Sequence, residues 1–337
     1  MTTNWFEELF GFSEQSYDET RKNLEVVGTT LRSRINQRSY VIGELTTPSL
    51  RELRDEAARV VDGCRGRLKV SNISGDVRSM HRHPANHHAL FQVASQFNLL
   101  EMVGPDVSPE DGVTRYVSDR TQGPACAIAA GGATVYRNYF VPVAGQAGQT
   151  RDRQIDCLSD LGAMLSNASQ ALWTMRNGYA LCTEKGLATI ARKLEALDVH
   201  GIDELRDVLR IGLHRGVQVT DVEYAQLVSQ AFCSALPVSY TNIPSERWKS
   251  FAVLVLEGAY EATIWAAVIN ACHSGSKVLF LTRLGGGAFG NEPQWILDAI
   301  RRALMKVVDV DLDVRIVSYG KPDASLERLA AECGDAT

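Results

Sequence analysis

The stretch Lys277–Asn291, reading KVLFLTRLGGGAFGN, limits what this chain can fold into more than any other. Val278–Thr282 are apolar or β-branched with no polar alternation, which predicts a strand buried on both faces, as in the middle of a parallel sheet. Gly285, Gly286, Gly287 and Gly290 then give a backbone without Cβ atoms and with free access to positive φ. Asn291 reads as a helix N-cap, and Pro293 as the first turn of a helix through Trp295, Ile296, Ile300 and Leu304. Strand, glycine loop and helix N-terminus together gather unpaired N–H groups at one point, which makes an anion site, most often for phosphate.

The loop satisfies G-x-G-x-x-G at Gly285, Gly287 and Gly290, yet the dinucleotide-binding fold fails on context. That fold needs further strands and an acidic residue about 20 positions on. Here only Leu312–Ser318 fits as a strand before the sequence ends. No Lys-Ser or Lys-Thr follows the glycines, so a Walker loop fails too. A loop that only turns a corner is the plainer alternative, but three consecutive glycines and Phe289 exceed what a turn needs.

With 337 residues, 45% of them hydrophobic and 22% charged, the chain can bury the core of one large α/β domain or two smaller ones. A net charge of −5 argues against a general nucleic-acid binder. The seven cysteines lie scattered without a C-x-x-C pair, so reduced thiols are expected rather than a disulfide framework or zinc ribbon. No charged n-region with an apolar h-region opens the sequence, and the longest apolar run, Phe251–Cys272, is interrupted by Glu257 and Glu261. A soluble, cytoplasmic protein with no membrane partner and no cofactor is expected.

Residues 1–63 read as a helical N-terminal extension, with a helix over Leu50–Val61 capped by Thr47 or Ser49. Residues 64–330 read as the main domain, with an insertion over roughly 151–228 that holds helices at Leu187–Leu197 and Asp203–Leu213. Strands are expected at Leu68–Ser74, Ala89–Ser95 and Gln230–Val238, with short ones around Leu172–Leu181 and Val217–Thr220. Trp248–Cys272 is apolar around its whole circumference, which predicts a buried helix covering the sheet. Its Glu257 and Glu261 are expected to reach the edge or a paired cation, because an unpaired buried carboxylate is costly. The cluster Met80–His88 holds four of the seven histidines without matching carboxylate or cysteine spacing. It reads as a surface loop that meets an anionic substrate rather than a metal site.

A second stretch carries chemistry: Asp119-Arg120-Thr121-Gln122-Gly123-Pro124-Ala125. Pro124 reads as the first position of a helix packed through Ala125–Ala133, so a second set of free N–H groups lies beside Asp119 and Asp111. Two glycine-bearing helix starts, one with carboxylates, predict a phosphate clamp beside a reacting centre.

The order strand, Gly75-Asp76-Val77, strand ending in Asn98, then Thr121-Gln122-Gly123 with a helix, and later a strand and Gly285-Gly286-Gly287-Ala288-Phe289-Gly290-Asn291, resembles the macrodomain family of ADP-ribose-binding proteins. The resemblance covers residues 65–140 and 230–320. It lacks the family's first triple glycine, and about 100 residues separate its two halves. It implies a macrodomain-like mixed sheet flanked by helices, with adenine read at Asp76 and Val77, diphosphate held by the Gly285–Gly290 and Gly123 loops, and Phe289 on the ribose. Asn98, Gln122 and Asn291 would be polar partners. The branch it is most similar to removes ADP-ribose from arginine side chains, in some members on modified ubiquitin. The partner is then ADP-ribose or an ADP-ribosylated protein. Breaking the bond at the distal ribose C1″ needs a carboxylate to handle water, and Asp119, then Asp111, then Glu101 are the candidates. A non-catalytic ADP-ribose reader, or another nucleotide or sugar-phosphate enzyme, shares the same pattern.

Overall fold

The apolar runs pair into one mixed sheet of seven strands: β1 (Glu44–Thr46), β2 (Lys69–Ser74), β3 (Leu90–Ala94), β4 (Gly212–Gln218), β5 (Leu227–Cys233), β6 (Val278–Leu281) and β7 (Asp313–Ser318), in the order β1-β4-β5-β3-β6-β7-β2. From β5 to β2 every neighbour is parallel, while β4 and β1 add antiparallel strands at one edge. The computed structural model describes residues 4–334. At the sheet's centre the β3 side chains Leu90, Phe91, Gln92 and Val93 are all fully buried, which is why their sequence shows no alternation.

Helices cover both faces. On one lie α1 (Leu50–Val60), α5 (Ser245–Ser274), α6 (Pro293–Leu304) and α7 (Ala324–Gly334); on the other, α2 (Val77–Arg82), α3 (Gln122–Ala129) and α4 (Gly131–Tyr139). The 30-residue α5 is apolar and long enough to cross a membrane, but 83% of its most apolar window is buried within the fold. Its acidic pair is matched by cations as expected. Glu261 bonds Arg54 and Arg302 at 2.6 and 2.5 Å, and Glu257 lies 2.6 Å from Arg206. Helix α1 starts at Ser49, whose side chain and that of Glu52 form a reciprocal capping box.

Several elements differ from the sequence expectation. The first 63 residues contain helices at Trp5–Phe10 and Tyr17–Lys22, but also a three-stranded antiparallel sheet at Leu24–Val41, and β1 joins the main sheet. The strands escape a periodicity reading because each has only three or four residues. The insertion is a mixed element too. Its helix Val199–Asp207 stops early, and Gly212 begins β4, which curves at a bulge where Gly216 holds φ +64°. The Leu172–Leu181 stretch forms a hairpin of Trp173–Arg176 and Tyr179–Cys182. Among the cysteines, Cys64 and Cys272 are disulfide-bonded, tying the segment after α1 to the end of α5, whereas Cys126, Cys157, Cys182, Cys233 and Cys333 are free and buried.

The histidine cluster is not a substrate-facing loop. His81 is fully buried on α2 and stacks 3.7 Å from Phe91, which in turn stacks 4.4 Å from Phe280 of the adjacent strand. His83 accepts the Ala85 N–H, and His87 accepts that of Leu227. Burial pushes His81 down to about 4 and, with Arg137 adding to it, His214 down to about 3, from the ordinary 6.5. As pH falls below 6.5 the unfolded chain takes up protons that these two folded-state histidines refuse, so their contribution to stability declines towards pH 4, opposed by the raised carboxyl of Glu101. The expected slope is about 1.4 kcal/mol per pH unit for each histidine. Urea unfolding at about pH 7 and about pH 5 should show a pH-dependent change in His214→Leu that is about 2 kcal/mol more favourable than in wild type, one histidine's share; an unchanged difference contradicts the assignment.

Candidate active site

Strands β3 and β6 are paired only at Leu90–Leu279 and Phe91–Phe280, and then diverge. The chain leaves β3 toward the β5 side and leaves β6 toward β7, so this is the point where an open parallel sheet forms a crevice at its strand ends. Two glutamines satisfy the edges exposed by the split. Gln122 of α3 accepts from Ala94 N at 2.9 Å and donates to the Gln92 carbonyl at 2.8 Å, while the Gln92 side chain accepts from Thr282 N and donates to Thr263. A cleft of ≈ 910 Å³ opens above them, within the size range of small-molecule sites.

One wall is the glycine loop. Gly285 holds φ +73° and Gly290 φ +69°, and a Cβ at Gly290 would lie 1.7 Å from the Ser239 hydroxyl. The loop closes through Gly290 N to Gly287 O and Asn291 N to Gly285 O, leaving the N–H groups of Gly287, Ala288 and Phe289 without partners among the described residues. All three residues line the cleft. Across the cleft lies the start of α3, capped by extended Thr121 with no side-chain bond, so the N–H groups of Gln122 and Gly123 are also unpartnered among the described residues. Pro124 sits within this first turn, where its missing N–H removes no helix bond. Gly123 is required by close approach, since a Cβ there would lie 2.0 Å from the Ala94 carbonyl and 3.1 Å from Glu101 Cγ.

Glu101 lines the cleft floor with only 3% of its surface exposed. Burial raises its carboxyl to about 7, although Arg137 opposes the shift by donating from Nη2 to both carboxylate oxygens at 3.0 and 3.1 Å. A carboxyl poised near neutrality beside two sets of N–H groups without partners among the described residues can take or give a proton.

The structure brings together Asp76, Val77, Thr121, Gln122, Gly285, Gly286, Gly287, Ala288, Phe289, Asp119 and Glu101 around this cleft, and sets the others aside. Asp111 lies outside the lining. It closes a capping box with Ser108, whose N–H and hydroxyl outweigh partial burial and hold its carboxyl below the ordinary range. Asn98 is fully buried and turned toward the insertion, accepting from Leu100 N and donating to Gln154. Asn291 is not the N-cap, which is Glu292; its amide donates to the Leu236 and Gly285 carbonyls and so shapes the loop from behind. Gln122 lines the cleft but its amide is engaged by β3. The three amides expected to hold ligand instead hold the protein. Asp76 lines the far end while its carboxylate caps α2 through Arg78 N and Ser79 N, bonds that keep it low despite burial. Asp119 stands at the mouth and accepts from Thr121 N.

Sequence reasoning missed two contributors. Tyr179, from the insertion hairpin, donates to the Met102 carbonyl and packs with Tyr240 and with Phe289 of the glycine loop at 5.2 and 5.4 Å. Arg137 was legible only as a lone cation in the apolar, small-residue run Gly131–Phe140.

No protein-family model and no curated protein matches the chain. Among solved structures it is similar to poly(ADP-ribose) glycohydrolase from Deinococcus radiodurans in complex with ADP-ribose, at 10% identity and TM-score 0.45 over 86% of this chain and 92% of that one. It is also similar to poly(ADP-ribose) glycohydrolase from Thermomonospora curvata bound to the inhibitor ADP-HPD, at 13% identity and TM-score 0.42 over 94% and 96%.

Two glycines of the loop should respond unequally to a methyl group. Gly290→Ala should lower unfolding free energy by about 1–3 kcal/mol through positive φ and the Ser239 clash. Gly287→Ala meets nothing within 4 Å and should stay within about 0.5 kcal/mol of wild type. Denaturant titration of both variants checks this; equal effects contradict the loop geometry.

Proposed function

We propose that the chain is an ADP-ribosyl hydrolase that cleaves the glycosidic bond at the distal ribose of ADP-ribose attached to a protein side chain. The observation that carries this reading is Glu101, a buried carboxylate raised to about 7 on the floor of a cleft whose two walls both offer unpartnered N–H groups. A diphosphate bridges such walls through hydrogen bonds to N–H groups that need no reorganisation. Asp76, Val317 and Tyr319 at one end of the cleft then face the adenine, and Phe289 with Tyr240 packs against a ribose.

With the distal ribose over Glu101, water attacks C1″ as the bond to the side-chain atom breaks. The water oxygen bonds C1″, its proton passes to Glu101, and the electron pair of the broken bond leaves with the side-chain atom, which then takes up a proton. Asp119, half-buried at the mouth, holds ribose hydroxyls in this reading rather than the attacking water. Arginine as the linked residue and ubiquitin as the carrier follow from the sequence resemblance, and release from arginine-linked against glutamate-linked substrates tests the linkage.

Calorimetry with ADP-ribose, ADP and NAD separates an ADP-ribose site from a general nucleotide site. ADP-ribose should bind in the micromolar range, about −8 kcal/mol, and Gly287→Glu, which places a carboxylate in open cleft space, should weaken it at least about 100-fold. Glu101→Gln should keep that affinity and lose about 10²–10⁴-fold in ADP-ribose release. Binding without any release by wild type would make the protein a reader; no binding to the folded protein would overturn the proposal.

A further inference from the structure

The Glu101 carboxylate is held by a residue the reaction itself does not touch. Arg137 is fully buried on α4, with its Nε donating to the Leu99 carbonyl and its Nη2 to both Glu101 oxygens. Its guanidinium lies 4.0 Å over the Phe232 ring, and its Nη1 has no partner among the described residues. A guanidinium so enclosed reaches no ligand directly. We propose that Arg137 is a positioning residue that holds the Glu101 carboxylate in the orientation that takes the proton of the attacking water, so that turnover depends on Arg137 while ADP-ribose binding does not; this rests on the hydrolase reading.

One general consideration and two observations separate this from an ion pair that only fills the core. Burying such a pair is frequently no more stabilising than apolar side chains of the same volume, so stability gives weak grounds for it. Both Glu101 oxygens accept from one Arg137 nitrogen, at 3.0 and 3.1 Å, which fixes the carboxylate's orientation by two bonds rather than one. And α4 is anchored from outside: Tyr139 donates to Glu14 at 2.7 Å, and Tyr17 to the Asn138 carbonyl at 3.3 Å. Glu14 also accepts from Val113 N and Thr114 N beside the Tyr116 turn, so one N-terminal side chain braces both supports of Glu101.

The groups around the pair do not supply the same control. The Tyr116 hydroxyl accepts from the Glu101 backbone N–H at 3.1 Å and donates to the carboxylate, but burial keeps it neutral. Cys126 of α3 is likewise held as a thiol by burial, with Glu101 adding to that. Behind Arg137, His214 is held neutral. Toward solvent, Asp119, Arg115 and Arg120 stand at the cleft lining. Arg137 is thus the one enclosed cation facing Glu101 among the described residues.

The test compares wild type, Arg137→Met and Arg137→Lys, reading three quantities on each folded protein. These are the titration of the Glu101 carboxyl by carbon NMR, assigned with Glu101→Gln; the pH profile of ADP-ribose release; and calorimetric affinity for ADP-ribose. In Arg137→Met the Glu101 titration should move up by about one pH unit or more, since an opposing cation is lost. Turnover near neutrality should fall about 10–100-fold and recover partly as pH rises, with affinity within about threefold of wild type. Arg137→Lys should lie between, and carries the same readings if Arg137→Met does not fold. An unmoved Glu101 titration in both variants, or losses of turnover and affinity in equal proportion, overturns the assignment. If wild type releases no ADP-ribose, the hydrolase reading fails, while the NMR titration still decides the role of Arg137.

Discussion

Two glutamine side chains stand in for a missing length of sheet, and the cleft depends on them. After Phe91 and Phe280 the backbones of β3 and β6 separate, exposing the Gln92 carbonyl and the Ala94 N–H in the middle of a buried sheet. Left unsatisfied there, each costs about 1–3 kcal/mol. Gln122 bonds both from one side-chain amide, and Gln92 reaches across to Thr282 N. The split is therefore a stable feature of the fold, and it is the condition for a crevice at the centre of the sheet rather than at its edge.

The same contacts place the chemistry. Because Gln122 must bond β3, the start of α3 is drawn against the end of that strand, close enough that only glycine fits at position 123. Glu101 then lies under the helix start, and α4, continuing from α3, carries Arg137 to meet it. On the opposite wall, Asn291 ties the glycine loop to Leu236 beyond β5, so its N–H groups face α3 across the gap. Insertion residues complete the wall through Tyr179, which packs on Phe289 and holds the Met102 carbonyl beside Glu101.

What could be read in the sequence follows from how strongly each element is specified. Strands β3 and β6, helix α5 and the glycine loop carry apolar runs or glycines at constrained positions, β7 alternates, and the outlines of these and of β2 were legible; β5, expected at Gln230–Val238, instead runs from Leu227 to Cys233. The expected ends were less so: the helix after Asp203 gives way to a strand, because Gly212 and the bulge at Gly216 are set by pairing with β5 rather than by local propensity. Side-chain roles were least legible. Asn98, Gln122 and Asn291 are amides near the cleft, and nothing local tells an amide that meets a ligand from one that meets a backbone carbonyl. Asp119 drew attention by standing before a helix start, whereas Glu101 sits in an apolar stretch, Leu99-Leu100-Glu101-Met102-Val103, where its burial and its partner 36 positions on become visible only in three dimensions.

A crystal structure of the protein grown with ADP-ribose tests the central claim most directly. The account predicts the diphosphate between the N–H groups of Gly287–Phe289 and the first turn of α3, with the distal ribose C1″ above the Glu101 carboxylate and a water between them. A ligand bound elsewhere, or one whose distal ribose points away from Glu101, would contradict it.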